Sequence, residues 1–343
     1  KRVALSLLIS VSLLILLWWL VSPEGKLAER KTFLDVLYNT VWPVASLYII
    51  TALLGTLLRS ERYRALLKAD GGEHQPGSLF MFLVTLCRNM FVDMVPARIG
   101  ELSYVLMLNK GGKVRVSSGL STLFISVVLD IVALAMILMM IVFQSLASAG
   151  QVDLSVGQAL VAASLIVIVT GGLIYVAVPV SHWFARLLDR TQVGLLQRSG
   201  QFLAEVGDSI KRVELREILW LTIMQSLGIR VLKYGGLLLL FIAVTQVSYP
   251  DMAALPWWQV LPAFISSEAA ASLPVPTFMS FGTYESGGVL AFSILGFAAA
   301  DILVVVFVIH LLSQFVDYTL GGLGLMGFLF YTAKNNVPVH EVS

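Results

Sequence analysis

A single cysteine, Cys87, excludes an internal disulfide. Four histidines are scattered without metal-ligand spacing, so no metal site is expected. Charge is scarce: Asp, Glu, Lys and Arg fill only 13% of the 343 positions, against roughly 25% in a soluble domain. The sequence contains no GxxxxGK[ST], HExxH or GxSxG, which argues against pumping driven by nucleotide bound to this chain, zinc peptidase chemistry and serine hydrolase chemistry. No cofactor is implied, and nothing points to a nucleic-acid partner.

What fills the chain instead is apolar. Hydrophobic residues make up 58% of it, gathered in runs at roughly 3–22, 40–58, 79–109, 119–147, 155–178, 218–246, 259–297 and 299–330. Crossing a hydrocarbon core of about 30 Å takes about 20 helical residues, so these runs read as membrane segments. The first run follows Lys1-Arg2 as a signal peptide would. It is longer than a usual signal core, and Ser22-Pro23-Glu24 is a poor cleavage site, so an uncleaved first span is expected. The lack of an initiating Met suggests a trimmed chain.

Two runs carry breaks and charges. Residues 79–109 contain Arg88, Asp93, Pro96, Arg98, Gly100 and Glu101; residues 259–297 contain Glu268, Pro274, Pro276, Gly282 and Glu285. Proline removes a backbone donor and clashes with the preceding turn, so each run breaks near its middle. The arms are then short for a crossing and suit re-entrant hairpins. The distribution of positive charge agrees. With a cytoplasmic N-terminus and neither hairpin crossing, nearly all loop cations fall inside, among them Arg59, Arg62, Arg64 and Lys68, and only Lys26, Arg30 and Lys31 outside. If both segments crossed, the excess would reverse. Tryptophans fall at the expected span ends, Trp42 and Trp257 outside and Trp220 inside, as an aromatic belt requires.

The expected fold is therefore an all-α polytopic membrane protein with about six spanning helices, two re-entrant hairpins and an inverted-topology repeat. Residues 1–147 form the first unit. Residues 148–217 hold the span 155–178 and a cytoplasmic link, 179–217, read as an amphipathic surface helix or a solvated connector. Residues 218–330 complete the second unit, and 331–343 form a cytoplasmic tail. Inverted repeats with broken helices at their interface are a transporter signature, although a duplication without transport leaves the same trace.

The intramembrane cations are Arg88, Arg98, Arg230 and Lys233; the carboxylates are Asp93, Glu101, Asp130, Glu268, Glu285, Asp301 and Asp317, with His310 beside them. A charge at mid-bilayer costs about 3 kcal/mol or more, so each must pair or face a watery cavity. Asp130, Asp301 and Arg88 fit structural ion pairs at least as well as a substrate role. Arg230 and Lys233 share a helix face, and His310 and Asp317 lie two turns apart on another. At the first tip, Pro96-Ala97-Arg98-Ile99-Gly100-Glu101 restarts a helix whose free amides attract anions. Arg98 can add a bidentate grip on phosphate; Glu101 could meet a cationic headgroup, take up a proton or neutralise Arg98. The second tip, Pro274 and Pro276 through Gly282-Thr283-Tyr284-Glu285, repeats proline, glycine and glutamate without an arginine. A kink with a capping glutamate would look the same, but its occurrence in both units favours a shared midplane site that includes Tyr284.

Asp93-Met94-Val95-Pro96-Ala97-Arg98-Ile99-Gly100-Glu101, Asp130 on the next span, and Ser272-Leu273-Pro274-Val275-Pro276 followed by Gly282-Thr283-Tyr284-Glu285 resemble the flippase-like transmembrane domain of lysylphosphatidylglycerol synthases, over about 30–330. The resemblance implies movement of a lipid with a phospho- or polyprenyl-linked polar headgroup between leaflets, with Pro96, Arg98, Gly100, Glu101, Gly282 and Glu285 as the matching positions. No soluble aminoacyl-transferase domain accompanies it here, so lysyl-lipid synthesis is not implied. Thr277-Phe278-Met279-Ser280 replaces part of a more glycine-rich second motif. The expectation is a non-enzymatic lipid transporter of a prokaryotic cytoplasmic membrane with both termini inside, acting on a membrane lipid; a homo-oligomer is compatible with it. Two other readings are a lipid-modifying transferase using Glu101 or Glu285 as base, and a polar-solute or ion transporter.

Overall fold

The computed structural model describes residues 2–21, 31–71, 75–94, 100–148, 172, 176, 179–183, 185–187, 201, 204–211 and 215–335. The span expected at 155–178 lies outside the described residues apart from Gly172 and Val176, as do the tip residues Pro96 and Arg98 and most of the tail.

Every regular element among the described residues is helical. They are α1 (Arg2–Val21), α2 (Phe33–Tyr38), α3 (Trp42–Ala69), α4 (Ser78–Met94), α5 (Leu102–Gly112), α6 (Val116–Ser148), α7 (Leu215–Ser248), α8 (Pro250–Ala253), α9 (Trp257–Ala271), a 3-10 turn (Phe278–Ser280), α10 (Thr283–Ser293) and α11 (Ala299–Asn335). Four of these, α3, α6, α7 and α11, are long and apolar enough to cross a membrane. The chain is an all-α polytopic membrane protein.

Local chemistry sets the boundaries. Thr32 and Asp35 form a reciprocal capping box that starts α2. Pro43 in the first turn of α3 loses no hydrogen bond there. One boundary departs from expectation: the helix begun at Trp42 does not end near residue 58 but runs through Ala69, so Arg59 and Arg62 belong to a packed helix rather than a cytoplasmic loop.

The element order repeats: a long helix, two short ones, a long one (α3–α6), then the same again (α7, α9–α11). The short helices are 17 and 11 residues in one set and 15 and 11 in the other. At about 1.5 Å per residue each falls short of a ~30 Å core. Packing follows the repeat. The first long helices, α3 and α7, pack along each other. Arm α4 leans on α11 of the other set, as α9 leans on α6; α5 packs on α6, as α10 packs on α11.

Glycines permit the tight folding of both hairpins. A Cβ on Gly100 would lie 1.8 Å from the carbonyl oxygen of Phe91, and one on Gly287 would lie 2.5 Å from that of Ser266. Lipid supplies no hydrophobic drive between helices, so close backbone approach and van der Waals packing must hold them together. Along α4 and α11 the same logic places Gly321, Gly324 and Gly327 against Met90, Leu86 and Leu83.

The main core lies among α7, α9, α10 and α11, where Phe241 stacks on Phe292 at 5.6 Å and both meet Phe264 edge-on. A second cluster joins Tyr63, Phe80 and Tyr104 between α3, α4 and α5. Within the expected link, 204–211 is helical, buries Ser209 and Ile210 and exposes Glu205, Asp208 and Lys211. Ser209 donates to Asp70 at 2.8 Å, and Ser121 of α6 donates to the carbonyl of Val206 at 3.1 Å, so this stretch is docked on the ends of α3 and α6.

Candidate functional site

Between the two sets of helices lies a polar cavity of about 200 Å³. It is walled by α3, α4, α7, α9, the 3-10 turn and α11, with Asp130 of α6 and Tyr284 of α10 reaching in. Its charged lining contains Arg59, Arg88, Arg230, Lys233, Asp93, Asp130, Glu268 and Asp317, together with His310. Such a lining inside an apolar bundle demands compensation of each charge or a polar occupant.

Pairing accounts for several of them. Arg62, fully buried on α3, places Nη1 2.6 Å from Asp130 Oδ1 and 2.6 Å from Ser226 Oγ, tying α3, α6 and α7 together. Arg230 and Lys233 turn to one partner: Lys233 Nζ is 2.7 Å from Glu268 Oε1, and Arg230 Nη1 is 3.9 Å from Glu268 Oε2. Tyr234 donates to the same Oε2 at 3.3 Å. Lys233 is 41% exposed at its side chain, so solvent screening weakens that pair.

The two hairpins each place a glutamate at the start of the second arm. Glu101 precedes α5, and its Oε1 is 3.1 Å from Arg88 Nη2 on α4. Glu285 sits in the first turn of α10 with no exposed surface. Its Oε2 accepts the N–H of Gly282 at 2.6 Å, and its Oε1 is 2.7 Å from His310 Nδ1 on α11. Tyr284 stacks on the His310 ring at 4.2 Å, and Gln314 Nε2 lies 3.3 Å from His310 Nε2. Gly282 has φ 93°, a conformation that glycine adopts without a side-chain clash. Met279 and Ser280 also have positive φ, and the bent segment is held from outside by Ser10 of α1, which accepts the N–H of Phe278 at 2.7 Å.

The sequence-predicted residues thus divide. Arg88, Asp93, Asp130, Arg230, Lys233, Glu268, Tyr284, His310 and Asp317 come together around one cavity. Glu101 and Glu285 stand behind it, holding the lining residues Arg88 and His310. Asp301 is elsewhere, at the start of α11, accepting from Tyr249 at 3.3 Å. Pro274 and Pro276 lie in the break between α9 and α10, and Arg98 and Pro96 lie outside the described residues. Among the described residues no group of three His, Cys, Asp or Glu could hold a metal ion.

Residue-by-residue reading missed Arg59, Arg62, Asn89, Tyr48 and Gln314. For the two arginines a signal existed: from Thr56 through Asp70 no glycine or proline interrupts the sequence, which keeps them on the helix.

Residues 3–321 match the family described as the Lysylphosphatidylglycerol synthase TM region. The chain belongs to this family. The matched stretch includes every described cavity residue. Searches among curated proteins and among solved structures found no match.

Proposed function

We propose that this lysylphosphatidylglycerol synthase TM-region protein moves a lipid with a polar, phospho- or polyprenyl-linked headgroup between membrane leaflets. The observation that carries the reading is the charged cavity between the two repeated helix sets, in a membrane domain whose family is tied to lipid chemistry. The headgroup would occupy the cavity while the acyl chains stay in lipid. Arg230 and Lys233, Tyr284, and Arg98 at the first tip would contact it; no covalent bond is made or broken.

On this reading α4–α5 and α9–α10 are re-entrant hairpins, and the two sets are inverted repeats with both termini on the cytoplasmic face of a prokaryotic inner membrane. Matching packing under exchange of the sets supports this, because such a pair can trade conformations and move the opening from one face to the other. Glu101–Arg88 and Glu285–His310 are the contacts that hold each hairpin in the present arrangement.

Leaflet exchange tests the proposal. The protein is reconstituted in liposomes carrying a trace of fluorescent phosphatidylglycerol, and outer-leaflet dye is quenched from outside. Accelerated quenching of the inner pool, lost in Arg98→Ala and Lys233→Ala, is the expected result. Rates equal to protein-free liposomes for every anionic lipid tried would sink the proposal.

A further inference from the structure

Among the described cations that line the cavity, the pairing leaves Arg59 over. Among the described residues it forms no ion pair with a carboxylate, although it lines the cavity. Its Nη1 donates instead to the neutral Oδ1 of Asn89 at 2.9 Å, and its Nε is buried without a partner. Arg88 donates to that same oxygen at 3.3 Å, and its Nε is likewise buried and unpartnered, on a residue only 4% exposed. Two guanidinium groups therefore converge on one amide oxygen. Glu101 pairs with Arg88.

The convergence is built rather than incidental. Asn89 Nδ2 donates to Thr56 Oγ1 at 3.1 Å, and Thr56 Oγ1 donates to the carbonyl of Ala52 at 2.8 Å. This relay fixes the amide with its oxygen toward the arginines. Two guanidinium groups held together in a low-dielectric wall, with spare donors and one carboxylate at ion-pair distance between them, favour an anion that bridges both. Planar guanidinium forks match the oxygens of a phosphate.

We infer that Arg59, Arg88 and Asn89 form a phosphate-binding site on the α3–α4 wall of the cavity. It deepens the lipid-transport reading by locating the phosphate of the headgroup away from the Glu268-bound Arg230 and Lys233. The same chemistry would accept free phosphate.

Native mass spectrometry and thermal melting of the full chain in uncharged maltoside micelles test the site, with dioleoyl-phosphatidylglycerol, inorganic phosphate and dioleoylglycerol as probes. Phosphatidylglycerol should bind and raise the Tm, while dioleoylglycerol, which lacks the phosphate, should do neither. Arg59→Gln should weaken phosphatidylglycerol about ten- to a hundredfold, the worth of a charge-assisted hydrogen bond. Its Tm without lipid should not fall, because an uncompensated charge has been removed. Asn89→Asp supplies the missing anion from within, so it should raise the Tm and abolish binding even if Arg59→Gln fails to fold. Inorganic phosphate matching the lipid's effect assigns the site to phosphate itself; an effect of the lipid alone assigns it to the headgroup. Wild-type affinity in both variants overturns the inference. Binding lost in the variants while the wild type shows no leaflet exchange leaves the site standing and removes the transport reading.

Discussion

Glu285 Oε1 stands 2.7 Å from His310 Nδ1, and the two side chains are 0% and 1% exposed. Because Glu285 also accepts the amide of Gly282, one carboxylate anchors the bent second tip to α11. Glu285→Ala leaves both the imidazole and the amide without that partner. Each stranded buried donor costs about 1–3 kcal/mol, so a clear drop in Tm is expected, with Glu285→Gln falling in between. A Glu285→Ala protein that melts with the wild type would show that the dyad does not hold the tip.

Arg62 and Asp130 should behave as a buried pair. Asp130→Ala strands a fully buried guanidinium and is expected to cost about 3–5 kcal/mol. Arg62→Met together with Asp130→Ala should recover much of that loss. Unfolding measurements on the double-mutant cycle give the check; additive effects would contradict the pairing.

Gly100 is packed where no side chain fits. Gly100→Ala sets a methyl on the Phe91 carbonyl, so the arms of the first hairpin must part, at a cost of about 1–3 kcal/mol or more. Gly287→Ala should act alike on the second hairpin, and less severely, since its contact is 2.5 Å rather than 1.8 Å. Relative Tm values of the two variants report this order.

Glu268 holds Arg230 and Lys233 of α7. Glu268→Gln frees them to grip an anionic headgroup, so leaflet exchange should saturate at a lower phosphatidylglycerol fraction and run more slowly. The pair is partly exposed and worth about 1 kcal/mol, which corresponds to roughly a fivefold shift. Exchange rates measured across a lipid titration would reveal it; an unchanged half-saturation point would count against contact with the headgroup.

Much of the architecture was legible in the chain. The runs at 79–109 and 259–297 each divide into two short helices, α4 and α5, α9 and α10, because proline and glycine act on the backbone locally, whatever surrounds them. Residues on the right helices were also identifiable: a charge inside an apolar run must find a partner or a cavity. The partners were not identifiable. Arg88 takes Glu101, Glu285 takes His310, and Asp130 takes Arg62, a residue assigned by its sequence to a loop.

By itself the sequence determined the all-helical class, the main apolar segments and the membrane setting, since these follow from apolar length and proline position along the chain. Only the tertiary structure decided which charges cancel and which remain. That outcome depends on contacts between residues such as Arg62 and Asp130, 68 positions apart. Arg59 illustrates the difference: its sequence context placed it in a loop, and that it lines a cavity beside Arg88 with no carboxylate at ion-pair distance among the described residues emerges only when α3 and α4 pack.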